Sequence, residues 1–391
     1  MTMLNLDHSK SPDISFSSCL CCEPNGVASA MHADLANTEL PTRQFSATRL
    51  ATRLKPSAGP RAKRLRGAAN KGPHRIDVHH HIIPPNYISL VGADRIFRQS
   101  AGRIPPAIAA WSPEGAIQAM DECGVATAMT SVSAPGTWFG DVAQGRRVSR
   151  ECNEYAAKMT VDFPGRFGTF AALPLPDVEG SLKEIEYAFD VLKVDGVALM
   201  TSYDNRWPGE KEFAPVFDEL NRRKAVVFFH PTTPDCCLNL ITNVPDSAIE
   251  FLFDTVRAVT SLLYSGTFSR CAETRFIFCH NGSAVPLLKD RISSRWSMDR
   301  ALFEPLIPNG PLHELKKLYF ECAGSTFPEC FLPLLQMVSA KNILVGTDYP
   351  WGRLTVQQTL KGLLEQGFSP AELRAIEREN ALGLFPRFAS Q

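Results

Sequence analysis

The chain has 391 residues, 44% of them hydrophobic and 21% charged, with 41 Lys/Arg balanced by 41 Asp/Glu, the composition of an ordinary globular protein. It has no uninterrupted apolar run of about 18 residues, which predicts no transmembrane helix, and outside residues 1–72 it is slightly acidic, which gives no case for a nucleic-acid-binding core. Eleven scattered cysteines read as reduced thiols rather than a disulfide scaffold, the pattern of a cytoplasmic protein.

Residues 1–72 carry ten Lys/Arg and five Asp/Glu. Nine of those cations fall between Pro41 and Lys71, where there is no acid and where Pro, Ala, Ser and Gly fill the gaps. Weak apolar periodicity predicts a disordered basic extension, residues 1–72, ahead of a single domain, residues 73–391. A transit-peptide reading suits the Arg and Ser bias but not Asp7, Asp13, Glu23, Asp34 and Glu39. Met31 is an alternative start.

The first strand is predicted at 75–81, in Arg75-Ile76-Asp77-Val78-His79-His80-His81, and it stops before Pro84-Pro85. Alternation along a strand puts His79 and His81 on one face and His80 on the other. The stretch 82–111 is too long for a simple strand-to-helix loop and predicts a lid or small insertion. A helix over Pro113–Glu122 follows, with Ser112 as N-cap and Gly124 beyond its end. Further strands are predicted at 126–133, 167–175, 196–203, 225–231, 275–281, 318–323 and 343–349. Helices are predicted at 178–193, 212–223, 246–270, 326–340 and 354–366, and Ser369-Pro370-Ala371-Glu372 caps a last one. Eight strands alternating with helices over about 320 residues give a (β/α)8 TIM barrel. The rival, a doubly wound sheet, lacks a Gly-rich phosphate loop after any early strand.

In such barrels chemistry collects at the C-terminal strand ends. Those ends carry His79 and His81 on the first strand, His230 on the fifth, His280 on the sixth and Asp348 on the eighth. Taken singly, His230 before Pro231 suits a buried ring bonded to a carbonyl, and Asp348 suits an Asx turn. Four imidazoles and a carboxylate at one rim are what a divalent metal needs.

Asp77-Val78-His79-His80-His81, Phe229-His230-Pro231, Cys279-His280-Asn281-Gly282 and Gly346-Thr347-Asp348-Tyr349-Pro350-Trp351 resemble the amidohydrolase superfamily. The likeness is to its decarboxylase branch, typified by 2-amino-3-carboxymuconate-6-semialdehyde, γ-resorcylate and 6-methylsalicylate decarboxylases. It covers residues 75–386, the closing Asn380-Ala381-Leu382-Gly383-Leu384-Phe385 included. The resemblance implies one Zn2+ per chain, or Mn2+ as in some relatives, held by His79, His81, His230 and Asp348. It implies His280, relayed with Asp348, as the acid/base residue beside the metal. The fourth strand, Gly196 to Thr201, has no Lys to carbamylate, so the site is expected to be mononuclear. Two departures are the run Asn281-Gly282-Ser283 after the sixth-strand histidine and the additional His80, expected to pack or bond on the far side of its strand. The resemblance also places Arg291 where a guanidinium reaches a carboxylate in a neighbouring subunit's site, which implies a homodimer. Arg291 reads equally as part of an exposed charged helix face with Lys289, Asp290 and Arg295.

The expected activity is metal-dependent, non-oxidative decarboxylation of an aromatic or unsaturated carboxylic acid, with a hydroxybenzoate such as 6-methylsalicylate as the example by likeness. The partner is that small acid, with Trp138 and Trp351 available to wall its ring. The alternative is a zinc-dependent hydrolase of a lactone or amide on the same site. A non-catalytic barrel is a third reading, against which the intact set of ligands argues.

Overall fold

The structure is a computed structural model that describes residues 74–98, 102–351 and 353–389. The predicted extension, residues 1–72, lies outside the described residues. Eight short apolar runs form strands: β1 (Arg75–Ile82), β2 (Val125–Val132), β3 (Phe167–Ala172), β4 (Gly196–Met200), β5 (Val226–His230), β6 (Arg275–Phe278), β7 (Tyr319–Glu321) and β8 (Ile343–Leu344). Each pairs in parallel with the next in chain order. The barrel closes where the Val78 N–H donates to Val345 O at 2.9 Å and the His81 N–H to Tyr349 O at 2.7 Å. The interior is packed: Phe170 and Phe228 stack with centroids 5.4 Å apart, and Phe385 and Phe388 seal the layer beneath them. Side chains filling the barrel are the norm for eight strands.

The predicted helix over Pro113–Glu122 is present, with the Ser112 hydroxyl accepting from the Gly115 N–H at 3.1 Å. The Ser369 capping box is present as well. The sequence reading gives no range for Val142–Asp162 or for the helices between 285 and 315, although a charged helix face around Arg291 is one of its alternatives. Val142–Asp162 buries Gly145, Ser149, Cys152 and Asn153 alongside Val148, Ala156 and Met159, so its inner face lacks a plain apolar stripe. Val285–Met298 buries only its first two residues, leaving little periodicity to read. The expected insertion exists as three short helices, Tyr87–Val91, Ala93–Ile96 and Pro106–Ala109.

Every predicted strand but the first overran its C-terminal end. The eighth, expected over 343–349, holds ladder geometry only through Leu344, and Asp348 then takes a left-handed φ of 56°. The first strand is also not regular. Between Asp77 and His80 it carries one residue more than β2 does, a bulge. The bulge resets the alternation: Val78 packs in the barrel interior, His79 and His81 face inward, and Asp77 joins His80 on the outer side.

Candidate metal centre

His79 and His81 are fully buried, their Nε2 atoms 3.0 Å apart. Asp348 Oδ1 stands 3.2 Å from each of those nitrogens. His230 enters from the end of β5, its ring centroid 5.2 Å from that of His79 and 4.7 Å from that of His81. One ligand atom from each of these four residues falls within 4.8 Å of all the others.

The far side of each ring is already engaged. His79 Nδ1 pairs with Glu321 Oε1 at 2.9 Å, His81 Nδ1 with Ser131 O at 3.3 Å, and His230 Nδ1 with Pro231 O at 2.8 Å. A ring that donates from Nδ1 presents a lone pair at Nε2. Two such lone pairs and a carboxylate oxygen therefore crowd one point that only a positive charge can stabilise. A proton there joins two of these atoms, whereas a divalent cation takes all four, and three imidazoles with one carboxylate suit zinc or manganese. The residues fit the group.

Electrostatics concentrate on the same atoms. Burial would lower His79, but Glu321 and Asp348 outweigh it and hold that ring up to about 10. Burial keeps His81 below the ordinary imidazole value, and keeps His230 well below it with help from His81 and His79. Burial would raise Asp348, yet His79, His280 and His81 hold its carboxyl well below the usual range. His79 and Asp348 thus share charge, and a cation at Nε2 would replace the proton that His79 otherwise holds.

Glu321 was not among the residues singled out from sequence. It lies at the end of β7, fully buried, and takes His79 Nδ1 and the His280 N–H on Oε1 and the Ala323 N–H on Oε2. Its signal was a lone acid in the apolar run Tyr319-Phe320-Glu321-Cys322-Ala323. Glu321, Cys279, His79 and His280 form a second cluster with metal-ligand spacing. Both Glu321 oxygens are engaged there, and the Cys279 thiol donates to Phe229 O while burial pushes its pKa well up. That cluster supports the first one.

His280 stands beside the centre, its Nε2 3.8 Å from Asp348 Oδ2 and its Nδ1 buried without a partner. His280, Asn281, Gly282 and Ser283 all have φ between 54° and 71°. Four consecutive left-handed residues, three of them not glycine, mark strain where a site needs it. His80 packs behind the strand, stacked on Tyr349 at 4.7 Å and bonded to Asp77.

The centre opens into a cavity of about 650 Å³, within the usual span of small-molecule sites. His230, His280 and Asp348 line one part of it, and Arg95, Phe97 and Arg98 from the insertion line another. Trp351 also lines the cavity. Trp138 instead donates to Asp204 Oδ2 at 2.7 Å and lines an adjoining hollow. Arg291 sits exposed on the helix Val285–Met298, away from this chain's cavity wall.

The amidohydrolase family model matches residues 76–387. A decarboxylase named yanB from Aspergillus niger is 34% identical over 338 residues, covering 80% of this chain and 88% of that one. A 6-methylsalicylic acid decarboxylase from Penicillium expansum is 33% identical over 322 residues, covering 80% and 96%. Among solved structures, a 5-carboxyvanillate decarboxylase from Novosphingobium aromaticivorans, complexed with manganese and 4-hydroxy-3-methoxy-5-nitrobenzoic acid, superposes with a TM-score of 0.68 at 18% identity, covering 80% and 96%.

Proposed function

The chain belongs to the amidohydrolase family, and from that premise we propose that it is a metal-dependent, non-oxidative decarboxylase of an aromatic carboxylic acid. The observation that carries the reading is the His79, His81, His230 and Asp348 cluster at the floor of the cavity with His280 beside it. The named relatives, decarboxylases throughout, support the reaction class. A hydroxybenzoate of the 6-methylsalicylate type is the substrate they favour.

When bound, a Zn2+ or Mn2+ on those four residues supplies a template and positive charge for the substrate's carboxylate. The chain's own residues do the rest. Loss of carbon dioxide leaves an electron pair on the ring carbon, which must receive a proton. His280 faces the cavity beside the centre and is the donor in this reading. Asp348 orients it through Nε2, and Glu321 fixes its backbone. Ile96, Phe97, Phe251 and Trp351 wall a flat ring. Outside the metal centre the charged lining residues are Arg95 and Arg98, a wall that favours anions.

The eight described cysteines are all free thiols, which supports a reducing compartment such as the cytoplasm. Among the described residues no helix is long and apolar enough to cross a membrane. Exposed Leu287 and Met298, on the same helix as Arg291, support a second copy on that side, as the homodimer reading requires.

The test is incubation of metal-loaded protein with hydroxybenzoates in heavy water. The reading expects carbon dioxide and one deuterium on the carbon that bore the carboxyl group. Solvent oxygen incorporated from a lactone or amide, without carbon dioxide, would overturn it in favour of a hydrolase.

A further inference from the structure

Asp77 has no part in the ligand set, yet it is fully buried two residues from His79. Strict alternation would aim it into the barrel with the histidines. The bulge after it turns it to the outer side, where four donors meet its carboxylate. Oδ1 accepts the His79 N–H at 3.0 Å and the Thr347 N–H at 3.0 Å. Oδ2 accepts the Thr347 hydroxyl at 2.6 Å and lies 3.0 Å from His80 Nδ1.

These bonds join the two chain segments that carry three of the four candidate ligands. β8 ends at Leu344, and from Val345 to Tyr349 the chain keeps only isolated parallel bridges to β1, Asp77 with Val345 and His80 with Tyr349. It is held to β1 by Val78 N–H to Val345 O, Asp348 N–H to His79 O at 2.8 Å, His81 N–H to Tyr349 O, longer bonds from the Thr347 N–H and hydroxyl to His79 O at 3.3 and 3.4 Å, and the Asp77 carboxylate. Within that segment Asp348 sits at φ 56°, a conformation that the backbone abandons unless its neighbours fix it. A carboxylate can accept four bonds, and no other side chain of this size can, so Asp77 fixes Thr347 by both its N–H and its hydroxyl.

We propose that Asp77 and Thr347 form a positioning pair that sets metal affinity through the backbone, holding Asp348 against the Nε2 atoms of His79 and His81. Glu321 orients a ligand ring directly; Asp77 orients the peptide bonds between ligands. The inference rests on the metal-centre reading above. Losing such an outer partner typically weakens metal binding about 10- to 100-fold.

Zinc or cobalt(II) alone is the probe, with dissociation constants from chelator competition and the cobalt d–d spectrum as the readout of ligand geometry. Thr347→Val keeps the shape and removes the hydroxyl. It is expected to raise the zinc dissociation constant at least about tenfold and to shift the cobalt bands. Thr347→Ser restores the hydroxyl and is expected to match the wild type on both counts. Asp77→Asn, which keeps Oδ1 and loses an Oδ2 acceptor, is the second variant should Thr347→Val not fold, and the same rise is expected. A folded Thr347→Val or Asp77→Asn with wild-type affinity and wild-type bands overturns the pair. Wild-type protein that binds neither metal overturns the metal-centre reading itself, a different failure.

Discussion

At the scale of single residues, the division of labour among the histidines makes the sharpest claims. His79→Ala, His81→Ala and His230→Ala each remove one of four donors and are expected to yield protein with little bound metal and no turnover. His80→Ala is expected to keep its metal, because that ring lies behind the strand against Tyr349. Metal analysis of the four proteins decides the assignment. His280→Ala is expected to keep about one metal per chain while turnover falls about 10²–10⁴-fold, the usual worth of a general acid. If it arrives without metal, His280 is a ligand. Arg98 lines the cavity without a bonded partner among the described residues, whereas Arg95 is tied to Gln144. Arg98→Gln is therefore expected to raise KM for anionic substrates with kcat little changed, and to weaken the salt dependence of kcat/KM. Steady-state kinetics at two ionic strengths check it.

At the scale of elements, the centre depends on how closely β8 approaches β1 and β7. A Cβ on Gly346 would meet Glu321 Oε2 at 1.7 Å and His79 Cβ at 2.9 Å. The constraint is space alone, since Gly346 does not have a left-handed φ. Gly346→Ala must push Glu321 off His79, and it is expected to lose metal affinity by at least about tenfold although it removes no ligand. Zinc titration of folded protein, with unfolding followed separately, checks this. Legibility also varies by element. The helix Pro113–Glu122 was readable because Ser112, Pro113 and Gly124 punctuate it. Val142–Asp162 was not, because its buried face includes Gly145, Ser149 and Asn153. Asn153 is buried to hold β3 and Glu184: its Nδ2 donates to Ala172 O at 2.9 Å and to Glu184 Oε1 at 2.8 Å. A polar residue that earns burial through partners cannot be told from a solvated one by period alone.

At the scale of the whole molecule, every candidate ligand and cavity-lining residue among the described residues lies between 79 and 351, and the family match begins at 76. A chain that starts near Gly72 is therefore expected to fold and turn over as the full chain does. Loss of turnover in a soluble, folded truncate would assign the first 70 residues a part in catalysis.

The sequence by itself determined the barrel and its rim. Strand ends are marked by the switch from β-branched and aromatic residues to His, Asp, Gly and Pro, and alternation within five residues is a local property that sterics enforce. His79, His81, His230, His280 and Asp348 were legible for that reason. What the tertiary structure decided is everything that depends on contacts between distant strands. Glu321 gains its role only because β7 delivers it 2.9 Å from a ring 242 positions away in the chain. Asp77 gains its role only because a bulge, set by pairing with β2, turns it from the face that alternation gives it. The insertion brings Arg98 to the cavity while Trp138 turns to Asp204, a choice made by packing around the rim. Local periodicity has no term for any of these, because each is fixed by which strand lies beside which.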